Sequence, residues 1–435
     1  MKQMKDKRYA PELSPQDVQS IRETVGSASL KLMSESIDKM KAMPNRAQGM
    51  AYFDEAANLF SKRQDEIQAH KDAGGRVIGT FCTFVPVELI YAAGAIPVRL
   101  DSGIYHTVDI GEEILPNEVC PVVKSSLGTK IVQSSPYFEL CDATISPSTC
   151  DAKTKLGEIL EDYLPVWMID LPRGRDTAQS KGFWVAEVFE LKKRIEKFCG
   201  QKISRKSLKS AIELVSQAQK AFCRLHDVRK ASMPVIMGRD AMLAIQALFN
   251  DDIERWTRKT EELCNELDEH IAMKRKGYDA EMPRMMLAGS PIIWPNWKVP
   301  NIVEEAGAII VCDELCSGVR GLYDPVRVDE WTMDDMLTAV AERYLLPSTC
   351  PCFTPNDNRA NRLLQMVEDF KVQGVIYHIL RGCHTYSIEF MRIKRVLERS
   401  NIPIHRIETD YSQEDTGQIK TRIQAFLEMV KESII

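Results

Sequence analysis

The sequence holds no apolar run of the roughly 20 residues that a membrane-spanning helix needs, and its opening stretch, MKQMKDKRYAPELSPQ, contains no apolar signal core. The expectation is a cytoplasmic protein. Long blocks of one charge are also absent. The 57 basic and 62 acidic residues are interspersed to a net charge of −5, which leaves no electrostatic footprint for nucleic acid or an anionic membrane. Neither GxGxxG nor GxxxxGK[ST] occurs, so dinucleotide binding and ATP hydrolysis by this chain itself are not expected. A paired CxxC…CxxC is missing as well, which argues against a structural zinc knuckle.

Cysteine, by contrast, is plentiful. Twelve are present, and in a reducing compartment metal binding or catalysis is a commoner use for them than disulfides. Cys199, Cys223 and Cys264 fall inside helical patterns and read as packing residues. Cys141 and Cys312 are ambiguous, at the start of a strand and within one. Cys82, Cys120, Cys150, Cys316, Cys350, Cys352 and Cys383 all fall in loops punctuated by Gly, Pro, Ser or Thr. Four of these follow an apolar, β-branched run: Arg76 to Phe81 leads to Cys82, Ala143 to Pro147 to Cys150, Ile309 to Asp313 to Cys316, and Gly374 to Leu380 to Cys383. Such runs read as buried parallel strands, and ligands of open α/β sheets bind beyond their carboxyl ends.

A length of 435 residues is too much for one ordinary core and points to two or three domains. The pattern gives an α/β protein with two doubly wound four-stranded parallel-sheet domains plus helical N-terminal and central segments. Residues 1–70 read as a helical preface, with helices over Asp17 to Lys41 and Arg46 to Ala69. Residues 71–177 supply strands at Arg76 to Phe81, Ile96 to Asp101, Asp142 to Ser146 and Val166 to Asp170. Residues 178–277 read as long amphipathic helices, the last from Ile253 to Lys276. Residues 278–435 repeat the first plan, with strands at Arg284 to Ser290, Ala308 to Val311, Gly374 to Leu380 and Ile404 to Glu408.

Two such units facing each other aim their strand ends into a shared cleft. Each half brings three loop cysteines: Cys82, Cys120 and Cys150 from the first, and Cys316, Cys383 and one of Cys350 and Cys352 from the second. Cys352 is taken as the candidate, although residue type alone does not separate the pair across Pro351. Soft thiolates scattered over separate loops suit an iron–sulfur cluster in a cleft better than a compact zinc site. His106, His378 and His405 read as structural residues, while His384 stands out for its place beside Cys383. Trp294 and Trp297 fit either a shield against water or the floor of the cleft.

Several stretches resemble the 2-hydroxyacyl-CoA dehydratase and benzoyl-CoA reductase superfamily. They are PVELIYAAGAIPVRL from Pro86 to Leu100, CPVVKSSLG from Cys120 to Gly128, CDAKTK from Cys150 to Lys155, EEAGAIIVCDELCSGVRG from Glu304 to Gly321, and IPIHRIETD with GQIKTRIQAFLE between Ile402 and Glu428. The resemblance runs from about residue 80 to the C-terminus. Dehydratase subunits of that family hold one cubane through three cysteines. A sixfold set is similar to the double-cubane cluster branch, whose metal-binding and cofactor-binding residues would here be Cys82, Cys120, Cys150, Cys316, Cys352 and Cys383. The resemblance implies a homodimeric oxidoreductase carrying two bridged 4Fe-4S cubanes. Its low-potential electrons would come from a separate ATP-hydrolysing iron–sulfur activator, and its substrates would be small unsaturated molecules such as acetylene. The alternatives are an acyl-CoA dehydratase or reductase subunit with a single 4Fe-4S cluster, and a non-catalytic cluster-storage or electron-carrier protein.

Overall fold

Two wholly parallel four-stranded sheets carry the chain in the computed structural model, which describes residues 8–11, 13–58, 61–274 and 277–432. The first comprises β1 (Val77–Thr80), β2 (Ile96–Arg99), β3 (Ala143–Pro147) and β4 (Val166–Ile169), in the order β2-β1-β3-β4. The second comprises β5 (Arg284–Gly289), β6 (Ile309–Glu314), β7 (Gly374–Leu380) and β8 (Ile404–Thr409), in the equivalent order β6-β5-β7-β8. In each sheet the chain leaves the first strand to one side and later crosses to the other. The two strands where that direction reverses, β1 with β3 and β5 with β7, therefore open a crevice beyond their carboxyl ends.

All eight strands expected from the sequence form. Strands β1, β3, β5, β6 and β7 are buried along their whole length, as β-branched runs covered by helices on both faces should be. Strand β6 continues past its apolar run to include Glu314, a charge it can bury because two guanidiniums meet it.

The helical preface differs in detail from its expectation. Ser14 and Asp17 form a capping box that starts the helix Pro15–Lys41, but the single helix expected from Arg46 to Ala69 is two, Met50–Ala56 and Arg63–Asp72. Residues 46–49 are committed elsewhere. Arg46 bridges Asp54 and Asp240 at 2.6 and 2.8 Å, and Glu266 accepts the amides of Gln48 and Gly49 at 2.7 and 2.8 Å. Beyond the first piece, the carbonyl of Ala57 accepts Trp294 Nε1 at 2.9 Å, and residues 59–60 lie outside the described residues. The helix Ile253–Met273 ends three residues before its expected limit at Lys276; residues 275–276 also lie outside the described set.

Three helices between β2 and β3 have no counterpart in the sequence reading: Val108–Glu112, Pro121–Ile131 and Pro136–Leu140. The middle one is buried from Pro121 through Thr129, Ser125 and Ser126 included. A helix enclosed on all sides shows no amphipathic period to read.

Packing ties the central helices to both sheets. Trp184, in the helix Ala178–Cys199, shares a core with Ile78, Ile145 and Ile169 of the first sheet and donates to the carbonyl of Ala341 at 2.8 Å. The helix Arg205–Val228 joins that core through Leu208, Ala211 and Ile212, and its later residues, with the helix Ile253–Met273, pack with β5, β6 and β7 and with Met33, Ile37 and Met40 of the first helix. The halves also touch directly. Tyr344 donates to Glu88 at 2.8 Å and accepts the Val87 amide at 3.2 Å, while Tyr411 donates to the carbonyl of Ser102 at 3.0 Å. At Gly103 the approach is closer still, since a Cβ there would lie 2.0 Å from the carbonyl oxygen of Ile293. Gly103→Ala is therefore expected to force the halves apart locally and to cost about 1–3 kcal/mol, visible as a lowered midpoint in calorimetric unfolding.

Candidate functional site

The crevices of both sheets are lined with thiols. Cys82 lies just beyond β1, in the left-handed region at φ 60°, a conformation that a non-glycine residue adopts only when its surroundings hold it there. Its amide is held by Asp101 Oδ2 at 3.0 Å. Cys150 follows β3 as the N-cap of the helix Asp151–Leu160, and Cys383 follows β7 as the N-cap of the helix His384–Arg399. Cys316 follows β6. Cys120 is not at a strand end but is the N-cap of Pro121–Ile131, and Cys350 and Cys352 sit in the loop between the helices Met333–Leu345 and Asp357–Asp369. All seven are half-buried.

The mutual influence of the thiols sorts them into two groups. Burial pushes Cys120 up to about 11, with the charge of Cys150 adding to it. Burial likewise raises Cys383, with Cys120 and Cys150 adding. Cys120, Cys150 and Cys383 thus form one group. In the second, burial pushes Cys82 up to about 12, with Cys316 and Cys350 adding. The Cys352 thiol donates to Cys350 and draws it down to about 7, and Cys352 itself is raised. Cys150 also feels Cys350, so the two groups adjoin. Each draws on both halves of the chain.

Glycine makes the first group possible. Gly382 has φ 78°, and a Cβ on it would lie 2.1 Å from the carbonyl oxygen of Glu118. The loop that presents Cys383 therefore rests directly on the backbone leading into Cys120.

Positive charge and backbone dipoles surround the thiols. Three helices of 10, 11 and 16 residues begin at Cys150, Cys120 and Cys383, and their positive ends favour an anion. The amides of Val122 and Val123 pull Cys120 down against burial, those of Ala152 and Lys153 act on Cys150, and the Ser290 hydroxyl and Tyr386 amide act on Cys383. Lys153 is buried beside Asp101, 4.4 Å above the Phe81 ring, where its charge reaches Cys82, Cys120 and Cys150. Asp101 also accepts Arg99 Nε at 2.6 Å. Burial acts to raise the Asp101 carboxyl, but Lys153 and Arg99 outweigh it and hold the group well below the usual carboxylate range.

Around the second group, Glu314 meets Arg320 at 3.2 Å and Arg359 at 2.9 Å and accepts Thr349 Oγ1 at 2.7 Å, all buried. Arg359 also pairs with Glu389, and Arg320 donates to Tyr386 Oη. Among the described residues, Arg175 Nε and Nη1 and Arg320 Nη1 find no hydrogen-bond partner, although all three atoms are buried. Both guanidiniums feel Cys350, with Cys352 beside Arg175 and Cys316 beside Arg320.

The remaining candidates lie elsewhere. Cys141 donates to the carbonyl of Tyr137 at 3.1 Å, and Cys312 is buried in β6 near Arg229 and Arg284. Cys264 is a core residue, and Cys223 packs beside Tyr323, 3.6 Å from its carbonyl oxygen. His384 is exposed at the start of its helix. His378 is buried with Nδ1 3.1 Å from the carbonyl of Ser290, and His405 stacks on Phe426. Trp294 and Trp297, in the loop that follows β5, meet edge to face in the core. The sequence reading passed over Arg99, Lys153, Arg175, Arg359 and Ser290. Of these, Arg99 and Lys153 had a signal, as charged residues within the quoted stretches that end in VRL and begin with CDAK.

Among the described residues no three His, Cys, Asp or Glu side chains converge tightly enough to hold a single metal ion. A polynuclear cluster does not require such a group, because its ligands attach to different metal atoms.

A thiol-lined cleft between two parallel sheets defines a class before it defines a protein, and comparison with known proteins supplies the family. The chain belongs to the 2-hydroxyglutaryl-CoA dehydratase D-component family, whose model matches residues 82–430. It is 36% identical over 367 residues to YjiM of Escherichia coli (strain K12), whose assignment as a dehydratase subunit is provisional; the match covers 83% of this chain and 93% of that one. It is 24% identical to the beta subunit of (R)-2-hydroxyglutaryl-CoA dehydratase from Acidaminococcus fermentans, over 87% of this chain and 98% of that one. A benzoyl-CoA reductase subunit from Thauera aromatica matches at 21% identity over 80% and 88% of the two chains.

Removing one partner from a buried ion pair leaves the other charge uncompensated. Arg359→Met is therefore expected to destabilise the chain by about 3–5 kcal/mol, read from urea unfolding, because Glu314 and Glu389 both lose their shared cation.

Proposed function

We propose that this protein is an iron–sulfur reductase that reduces small unsaturated molecules with low-potential electrons from a separate ATP-hydrolysing activator. Cys120, Cys150 and Cys383 would hold one 4Fe-4S cubane. Cys82, Cys316 and one of the Cys350 and Cys352 pair would hold a second, bridged to the first. When bound, the cluster supplies the low-potential electrons for reduction.

The observation that carries this reading is the sorting of the half-buried thiols into two adjoining groups, Cys120, Cys150 and Cys383 in one and Cys82, Cys316, Cys350 and Cys352 in the other, each drawn from both halves. The chemistry of the surroundings fits an anionic guest. Burial holds most of these thiols in the neutral form, so a cation is required to make them thiolates. The net charge of a thiolate-bound cluster would then answer the unpaired N–H groups of Arg175 and Arg320. Lys153 and the three helix N-termini would hold the anionic sulfur atoms in place and raise the potential at which the cluster accepts electrons. In this reading the chain acts as a cytoplasmic homodimer, and its activator docks transiently.

The names of the relatives favour a second reading, in which the chain is one subunit of an acyl-CoA dehydratase or reductase with a single cubane. Metal analysis separates the two. Anaerobically purified protein is expected to hold about eight irons and as many sulfides per chain, whereas about four would support the single-cubane subunit. Ser in place of Cys82, Cys120, Cys150, Cys316 or Cys383 is expected to lower that content, since a hydroxyl is a harder and far less acidic ligand. Ser at Cys199, Cys223 or Cys264 should leave it unchanged, and comparing Cys350→Ser with Cys352→Ser identifies the sixth ligand.

A further inference from the structure

An apolar cavity of about 120 Å³ lies beside Cys82, between the loop that follows β1 and the central helices. Val85, Val87, Val215, Phe222, Leu248 and Ile253 form much of its wall, and Cys82, Thr83, Gly318 and Gly321 lie on the thiol side. We propose that this cavity is the binding site for a small, uncharged, unsaturated molecule of a few carbon atoms, an inference that rests on the reductase reading above.

The lining selects by what it withholds. Among the described residues that line the cavity, Arg99 alone carries a charge. Its guanidinium is engaged by Asp101 at 2.6 Å and lies 4.6 Å from the centre of the Phe249 ring. A carboxylate, phosphate or coenzyme A thioester would find no free cation there and would lose its hydration without compensation. An apolar molecule gains by entering, since apolar cavities on the order of 150 Å³ remain dry and take up xenon or benzene.

The thiol side is open at Gly321, which has no side chain, whereas Gly318 is fixed by its neighbour Asp313. A Cβ on Gly318 would collide with Asp313 Oδ1 at 1.9 Å, so that position has to remain glycine. A Cβ on Gly321 would approach nothing closer than Thr83 Cγ2 at 3.8 Å, so the space in front of it is vacant. That vacancy brings the cavity to Cys82 at the edge of the second thiol group.

Two substitutions fill the cavity from the wall opposite the thiols: Val215→Phe, in the helix Arg205–Val228, and Leu248→Phe, just beyond Gly238–Ala247. Xenon is the binding probe, located in xenon-pressurised crystals. Acetylene is the substrate probe; its conversion to ethylene consumes two electrons and two protons, the electrons supplied by titanium(III) citrate and the protons by solvent. The expected result is a xenon site in the wild-type cavity that both variants lose, with the KM for acetylene raised at least tenfold and iron content unchanged. The absence of xenon from the wild-type cavity would overturn the proposal. So would an unchanged KM in a variant that has lost the xenon site. Failure of the reductase reading looks different: wild-type protein would bind xenon here yet convert no acetylene, which retains the apolar site and removes the reaction assigned to it.

Discussion

A thiol surrounded by protein resists ionisation, because the charge of a thiolate is poorly solvated there. The arrangement around the cleft is a response to that one cost. Lys153 is held among three thiols by Asp101, and Asp101 stays ionised in a buried place because Arg99 also meets it. Glu314 is carried into the core at the end of β6 and positions Arg320 and Arg359 on the other side. Each carboxylate is needed to make burial of its cations tolerable, and those cations in turn make the cleft hospitable to sulfur anions. Arg175 joins these cations beside Cys350 and Cys352, with its buried Nε and Nη1 meeting no acceptor among the described residues.

The two sheets share one strand order, and this explains how six thiols from distant parts of the chain reach one cleft. A reversal of direction inside each sheet opens a crevice at the strand ends, where Cys82 and Cys150 emerge from one and Cys383 from the other. Bringing those crevices together requires backbone to touch backbone. The contacts of Gly103 with Ile293 and of Gly382 with Glu118 are such points, and neither has room for a side chain. The halves consequently share the site: a change at Gly382 displaces Cys383 relative to Cys120, although the two belong to different sheets.

Much of this was legible in the sequence, for identifiable reasons. Five of the eight strands announced themselves because parallel strands covered on both faces are apolar along their whole length, as in Gly374–Leu380; the half-exposed β2, β4 and β8 are legible from their short apolar runs alone. The strand-end cysteines followed from those runs. Helix Pro121–Ile131 was not legible, since its buried face extends all the way round and includes Ser125 and Ser126. The late start at Met50 goes with contacts of Arg46, Gln48 and Gly49 to Asp240 and Glu266, and Ala57 at the break accepts Trp294, all residues remote in sequence. The grouping of thiols across the halves was hidden for the same reason: which cysteine faces which is decided by the packing of Gly382 on Glu118, and spacing along the chain does not encode it.

In the proposed reading, two adjoining groups of half-buried thiols each hold one cubane of a bridged pair. Anomalous diffraction at the iron edge, from crystals grown and frozen without oxygen, tests it most directly because it locates the iron itself. Two adjacent iron centres are expected, one among Cys120, Cys150 and Cys383 and the other among Cys82, Cys316 and the Cys350 and Cys352 pair. A single iron centre confined to one group, with the other three thiols free, would contradict the account.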